Sequence, residues 1–144
     1  MEVAYFDSSA LVKTVLHEPD SDRARTVWDA AGTCVTSWLS SAEVAAALGA
    51  ARRARRLSVA GLRRAQDAWT ARQQAMVHVQ LGREVGELAA DLAVRRGLRG
   101  ADAVQLASAL VLGGDVVFAC WDERLRNAAA AEGLAVAPGE VREA

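Results

Sequence analysis

The sequence contains almost no lysine, and it is poor in cysteine and histidine. Lys13 is the only lysine among 17 basic residues, so nearly all of the positive charge is arginine. The formal net charge of -1 excludes a polycation and confines any nucleic-acid affinity to a local patch. His78 has no second histidine placed to form a metal pair, and Cys34 and Cys120 show no C-x-x-C spacing. These absences exclude the usual zinc motifs and favour two buried thiols over a disulfide.

Long apolar runs are also missing. No run reaches the roughly 18 residues that a membrane span requires, and the best candidate, residues 107–121, is interrupted at positions 113–115. The chain opens Met1-Glu2 with no basic region, so we expect no signal peptide, no membrane association and a cytoplasmic location. The 144 residues and the hydrophobic content of 52% predict a single folded domain over residues 1–144.

Short apolar runs alternate with amphipathic segments along the chain. The runs predict strands at Val3–Phe6, Thr33–Ser37, Met76–Leu81, Val116–Ala119 and Leu134–Ala137. The intervening segments predict helices at 8–17, 21–31, from about Trp38 or Ser40 to about 55, 58–74 and 82–96, a helix with Asp102 in its first turn, and a last helix at 123–132. This alternation predicts an α/β fold, a three-layer α/β/α sandwich around a parallel sheet of about five strands.

Four acidic residues follow predicted strands or begin the helices after them: Asp7, Glu43, Asp102 and Asp122. Ligands bind at the carboxyl edge of an open parallel sheet, so we expect these side chains to meet there. Each acid also has a structural explanation. Ser8 or Ser9 can cap the first helix, Ser40 and Glu43 have the spacing of a capping box, and the helix dipole favours an acid in any first turn.

Acidic side chains that meet at one edge have a definite chemical consequence. Two carboxylates about 5 Å apart repel by roughly 3 kcal/mol at an effective dielectric constant of 20, so four together hold either protons or a cation. Oxygen donors without histidine or cysteine select Mg²⁺ or Mn²⁺ over zinc. Such ions coordinate phosphate and activate water, which predicts metal-dependent hydrolysis of phosphodiester bonds.

Arginine is concentrated at the junction of the third and fourth predicted helices. A charge run of this kind is usually a solvated face, and arginines in a last helical turn also complement the helix dipole. The alternatives to a solvated face are that these arginines contact RNA, a protein partner or a second subunit. The residues concerned are Arg52, Arg53, Arg55, Arg56, Arg63 and Arg64.

Four segments of the sequence resemble the PIN domain, and in particular the VapC-type toxins of toxin–antitoxin pairs. They are residues 5–13 (YFDSSALVK), 36–44 (TSWLSSAEV), 100–107 (GADAVQLA) and 121–125 (WDERL), followed by Ala128-Ala129 and Gly133-Leu134. The resemblance runs nearly end to end and is least diagnostic over residues 52–79. It depends on the ordered set of four acids, because no single segment is specific.

The resemblance implies a Mg²⁺- or Mn²⁺-dependent endoribonuclease that is usually a homodimer and is inhibited by a small antitoxin. It makes Asp7, Glu43, Asp102 and Asp122 the metal-binding carboxylates and Ser9 a supporting polar residue. The chain departs from the family at Cys120, where a serine or threonine often lies two residues before the last acid.

Two other α/β families and one variant of the PIN domain are the competing interpretations. Phospho-acceptor receiver domains use a lysine late in the chain, and none follows Lys13. Aspartate-nucleophile phosphatases need a second acid two residues after the first, where this chain has Ser9. The remaining alternative is a catalytically inactive PIN fold that serves as a binding or scaffold protein.

Overall fold

A computed structural model describes residues 1–139 of the chain, and it contains five strands and seven helices over that range. The strands are β1 (Val3–Phe6), β2 (Thr33–Ser37), β3 (Val77–Val79), β4 (Val116–Ala119) and β5 (Ala135–Ala137). The helices are α1 (Ser8–Val15), α2 (Ser21–Ala30), α3 (Leu39–Arg53), α4 (Val59–Gln74), α5 (Arg83–Arg96), α6 (Gly100–Leu110) and α7 (Glu123–Ala131). The predicted α/β class is confirmed.

The strands form one sheet in the order β3-β2-β1-β4-β5, and every neighbouring pair is parallel. The chain builds the sheet outward from β1 to one side and then returns to add β4 and β5 on the other. The strand order therefore reverses between β1 and β4. In open parallel sheets such a reversal opens a crevice at the carboxyl ends of the two strands.

Alternate residues of the central strands support a helical layer on each face of the sheet. Tyr5 and Phe118 stack with ring centroids 5.5 Å apart, and they pack with the apolar sides of α5, α6 and α7. Phe6 and Ala4 face the other way and pack against α1, α3 and α4. Because the sheet is covered on both sides, its central strands β1 and β4 are short apolar runs rather than alternating ones.

The boundaries differ from prediction at helix ends and at β3, where Val77–Val79 replaces the predicted Met76–Leu81. The first helix stops at Val15 rather than at His17, and Gly97 closes α5 with a positive φ of 62° as its position predicted. Cys34 and Cys120 are both buried free thiols, as predicted. The half-buried ring of His78 stacks on Trp38 with centroids 4.2 Å apart, and partial burial lowers the pKa of this imidazole.

Candidate active site at the carboxyl edge of the sheet

Asp7 directly follows β1 and turns the chain into α1. Its Oδ1 accepts hydrogen bonds from the Ser9 hydroxyl (2.7 Å) and from the Ala10 N–H (3.0 Å). Asp7 is therefore the N-cap of α1, and the expectation that Ser8 or Ser9 would cap this helix is wrong. The reason is geometric: Asp7 still has extended backbone angles, and its carboxylate faces the free N–H groups of the first turn.

The Asp7 carboxylate is almost completely removed from solvent, with 4% of the residue exposed. This burial raises the pKa of Asp7 to about 6, and the charge of Asp102 adds to the rise. The bonds from Ala10, Ser9 and the Cys120 thiol act in the opposite direction. Asp7 is a carboxylate that gains from a nearby cation, because burial has removed the water that would stabilise its charge.

Asp122 has the same relation to β4 and α7 that Asp7 has to β1 and α1. Its Oδ1 accepts the Leu125 N–H at 2.9 Å and caps α7. The two turns are joined directly, because the Trp121 N–H donates to the Ser9 hydroxyl at 3.2 Å. Ser9 thus connects Asp7 to the turn that carries Asp122.

Cys120 lies between the two aspartates. Its buried thiol is within 3.2 Å of Asp7 Oδ2 and 3.4 Å of the Asp122 carbonyl oxygen. Burial raises the pKa of this thiol, and the charge of Asp7 raises it further. The thiol therefore stays protonated and donates to Asp7, so it occupies the place of a hydroxyl donor without supplying an anionic ligand.

Asp102 lies in the first turn of α6 with its side chain 30% exposed. Burial raises its pKa, and the charges of Asp122 and Glu43 raise it further. The Arg99 guanidinium, 3.7 Å from Asp102 Oδ2, acts against this rise. Asp102 is thus coupled electrostatically to all three other predicted acids, since its charge also raises the pKa of Asp7.

Glu43 reaches the same region from the second turn of α3, where a buried amide holds it. The Gln105 Nε2 of α6 donates to Glu43 Oε1 at 2.7 Å and also lies 3.1 Å from the Ser40 hydroxyl. The predicted capping-box alternative is wrong, because Ser40 is turned toward Gln105 and Thr36 and makes no cap to α3. Glu43 is positioned by a tertiary contact instead.

Gln105 belongs to a buried polar network that the sequence did not reveal. Its Oε1 accepts the Tyr5 hydroxyl at 2.6 Å. The Thr36 hydroxyl donates to the Phe6 carbonyl at 2.7 Å, which leaves Ser40 as the donor in the 2.7 Å bond between Thr36 and Ser40. The only sequence feature that could have pointed to Gln105 is that it is a single amide in the otherwise small and apolar helix 103–110.

The chemistry of the four donors, which are all carboxylates, suits a hard divalent cation. The four carboxylates supply only oxygen atoms. Burial is the main cause of the raised pKa of Asp7 and of Asp102, and neighbouring negative charges add to the rise for each. Within residues 1–139, however, no three carboxylate, imidazole or thiol side chains converge closely enough to enclose an ion. The four acids lie at one edge of the sheet, but their side chains would have to move closer to one another to bind a single cation.

The predicted arginine cluster lies elsewhere. Arg52 and Arg53 occupy the last turn of α3, about 15 Å along the helix axis from Glu43 at 1.5 Å per residue. Arg52 Nη1 is 3.4 Å from the Leu57 carbonyl oxygen, and Arg55 takes a left-handed conformation with φ of 60°. The remaining arginines of the cluster are exposed; they are Arg53, Arg55, Arg56, Arg63 and Arg64.

Comparison with known proteins places this arrangement in a family. The model of the PIN domain matches residues 4–131, which include all four acids, β2, β3 and β4, and β1 from its second residue. The chain belongs to the PIN domain family. The α/β/α architecture is the one predicted from the alternation of strands and helices.

Several curated relatives of this PIN domain match it over nearly their whole length. It is 42% identical over 142 residues to ribonuclease VapC45 and to ribonuclease VapC49 of Mycobacterium tuberculosis, with 98% of this chain and 99% of each relative covered. Ribonuclease VapC46 of the same species is 36% identical over 140 residues, with 94% and 97% covered.

Solved structures share the fold at low sequence identity. The PAE2754 protein of Pyrobaculum aerophilum superimposes with a TM-score of 0.65 at 20% identity, covering 95% of this chain and 92% of that one. FitAcB of Neisseria gonorrhoeae gives a TM-score of 0.63 at 14% identity, with 93% and 96% covered. A chain of a toxin–antitoxin complex from Klebsiella pneumoniae gives 0.55 at 16% identity, with 79% and 83% covered.

Proposed function

We propose that this PIN domain, taken as a single unit over residues 1–144, is a metal-dependent endoribonuclease and the toxin of a type II toxin–antitoxin pair. The observation that carries the proposal is the placement of the four acids at the carboxyl edge of the sheet: Asp7 and Asp122 follow the two strands at the reversal point, and Gln105 joins Glu43 to the helix that has Asp102 in its first turn. The VapC relatives support it, because they are named ribonucleases and match the chain from end to end.

Asp7, Glu43, Asp102 and Asp122 are the proposed ligands of Mg²⁺ or Mn²⁺. When bound, the ion supplies a water activated for attack on phosphorus and stabilises the leaving oxygen. The chain's own part is to fix the donors: Ser9 and Ala10 hold one oxygen of Asp7, and Gln105 holds Glu43. Cys120 keeps its proton and donates to the second oxygen of Asp7.

The proposed partners are an RNA substrate, a small antitoxin and a second copy of the chain. A cationic segment of an antitoxin would be attracted to the same edge, because Asp7, Glu43, Asp102 and Asp122 lie there. Within residues 1–139, no helix is long and apolar enough to cross a membrane.

An inactive PIN scaffold is the second candidate. The first candidate is preferred, because the relatives that match nearly the whole chain are named ribonucleases. The two candidates are separated by one assay, the cleavage of a mixed pool of structured RNA by the purified protein with Mg²⁺, with Mn²⁺ and with chelator.

The matched variants for this assay are Asp7→Asn and Asp102→Asn. Asparagine retains an oxygen for the Ser9 and Ala10 bonds and relieves repulsion among the acids, so we expect both variants to fold and neither to cleave. Metal-dependent cuts by the wild type alone would support the nuclease. Undiminished cleavage by either variant would refute the site, and the absence of both cleavage and divalent-ion binding in the wild type would favour the scaffold.

A further inference from the structure

A cavity of about 450 Å³ lies beside the acids, bounded by α1, α3, the α1–α2 turn and the β4–α7 turn. Glu43 and Asp122 line it, so it opens directly onto the candidate active site. Its wall also contains Lys13, the only lysine of the chain, and Glu18. The volume is ample for a nucleotide unit of an RNA strand that passes over the acids.

The lining of this cavity carries three carboxylates, from Glu18, Glu43 and Asp122, and one cationic side chain, that of Lys13. A strand of RNA carries one negative charge per phosphate, so it meets repulsion wherever no cation faces it. A cation bound by the acids would neutralise the phosphate that is cleaved. The neighbouring phosphate in this cavity has only Lys13 as a fixed counter-charge.

The Lys13 ammonium has two hydrogen-bond acceptors among residues 1–139, which leaves one of its N–H donors without a partner there. Its Nζ donates to the Pro19 carbonyl oxygen at 2.8 Å and lies 3.4 Å from Glu18 Oε1. The second distance is long for a charge-assisted hydrogen bond, which is about 2.7–2.9 Å. An ammonium has three N–H donors, and residues 1–139 supply partners for only these two. The Pro19 carbonyl oxygen therefore fixes the orientation of the Lys13 side chain. The longer contact with Glu18 is weak enough for another anion to displace that carboxylate.

We propose that Lys13 binds the RNA phosphate next to the scissile one. In the protein without RNA, the Glu18 carboxylate pairs with the Lys13 ammonium and so competes with that phosphate. This inference rests on the proposed function and names a phosphate subsite of the same site. The competing explanation is purely structural: the Lys13–Glu18 pair ties α1 to the α1–α2 turn. The two explanations predict different effects when each partner is removed separately.

The test measures binding of a fluorescein-labelled, single-stranded RNA pool of random sequence to the Asp102→Asn protein at several salt concentrations. Lys13→Gln should weaken binding roughly two- to fivefold, the size of one surface ion pair, and should lower the salt slope by about 0.7. Glu18→Gln should strengthen binding, because it frees the ammonium and removes a negative charge from the path of the strand. The phosphate subsite therefore predicts opposite signs for the two variants.

A control pair corrects for net charge. Arg83 and Glu87 form an exposed ion pair of 3.6 Å on α5, outside the cavity, so Arg83→Gln and Glu87→Gln make the same charge changes elsewhere. Equal effects of the two pairs would overturn the inference, as would loss of binding in both Lys13→Gln and Glu18→Gln. If the wild type cleaves RNA while the Lys13 and Glu18 variants bind unchanged, only the subsite is refuted. If the wild type neither cleaves nor binds RNA, the proposed function fails with it.

Discussion

Removal of the Gln105 amide tests the buried polar network that joins Tyr5, Ser40 and Glu43. Gln105→Leu preserves the size of the side chain but leaves the Tyr5 hydroxyl without an acceptor and the Ser40 hydroxyl without one of its donors. Tyr5 and Ser40 are fully buried and Gln105 is 1% exposed, so water cannot replace the lost bonds without rearrangement. An unsatisfied buried polar group costs about 1–3 kcal/mol.

The lost bond to Glu43 adds less, because that carboxylate is only partly buried and water can reach it. We therefore expect Gln105→Leu to lower the free energy of unfolding by about 2–4 kcal/mol, a large share of the 5–15 kcal/mol typical of a domain. Urea denaturation followed by tryptophan fluorescence measures this change. Gln66→Leu, on the exposed side of α4, is the matched control and should shift stability by less than about 0.5 kcal/mol.

A double-mutant cycle with Tyr5→Phe isolates the network. Tyr5→Phe alone leaves Gln105 Oε1 without its 2.6 Å donor, whereas the double variant replaces both partners by apolar groups. The double variant should thus be at least about 1 kcal/mol more stable than the sum of the single effects predicts. A cost below about 0.5 kcal/mol for Gln105→Leu, or additivity of the two changes, would refute the reasoning.

Two further predictions concern protonation and the arginines. Burial raises the pKa of Asp7 to about 6 in the folded state, so the native protein holds a proton that the unfolded chain has lost, and stability in chelator should fall as pH rises from about 4 to about 6. This fall in the free energy of unfolding is on the order of 2 kcal/mol, and Asp7→Asn should remove it. Thermal unfolding across that pH range measures the difference, and parallel curves of stability against pH for the two proteins would contradict the prediction. If the arginine cluster contacts RNA, replacement by glutamine should weaken RNA binding and flatten its salt dependence. An unchanged salt slope would show that these arginines are solvated and make no RNA contact. The residues to be replaced are Arg52, Arg53, Arg55, Arg56, Arg63 and Arg64.

Much of the fold could be predicted because local patterns report burial. Runs such as Val116–Ala119 are buried on both faces, and this gives them the continuous apolar character of parallel strands. The PIN family and the α/β/α class are confirmed. The order of the strands was not predicted, because pairing between β1 and β4 joins residues more than 100 positions apart and leaves no local pattern.

The candidate site was predicted in part. The edge on which Asp7 and Asp122 lie follows from their places directly after strands, and the structure confirms that each turns its strand into a helix. Their metal-binding role remains a prediction. Gln105 was missed because an amide inside a helix has no periodicity of its own; its role depends on the position of Glu43, which is 62 residues away.

The sequence alone determined the class of fold and the chemical character of the edge, since strand ends, helix starts and acid positions are all local properties. The tertiary structure decided how those acids are held. It buried Asp7, which raises the pKa of this carboxyl to about 6, and it placed the Cys120 thiol where it donates a hydrogen bond to Asp7 Oδ2. It also set Glu43 on the Gln105 amide and placed Lys13 beside Glu18 at the cavity wall. These outcomes depend on distances between elements far apart in the chain, and packing of both helical layers on one sheet is what fixes those distances.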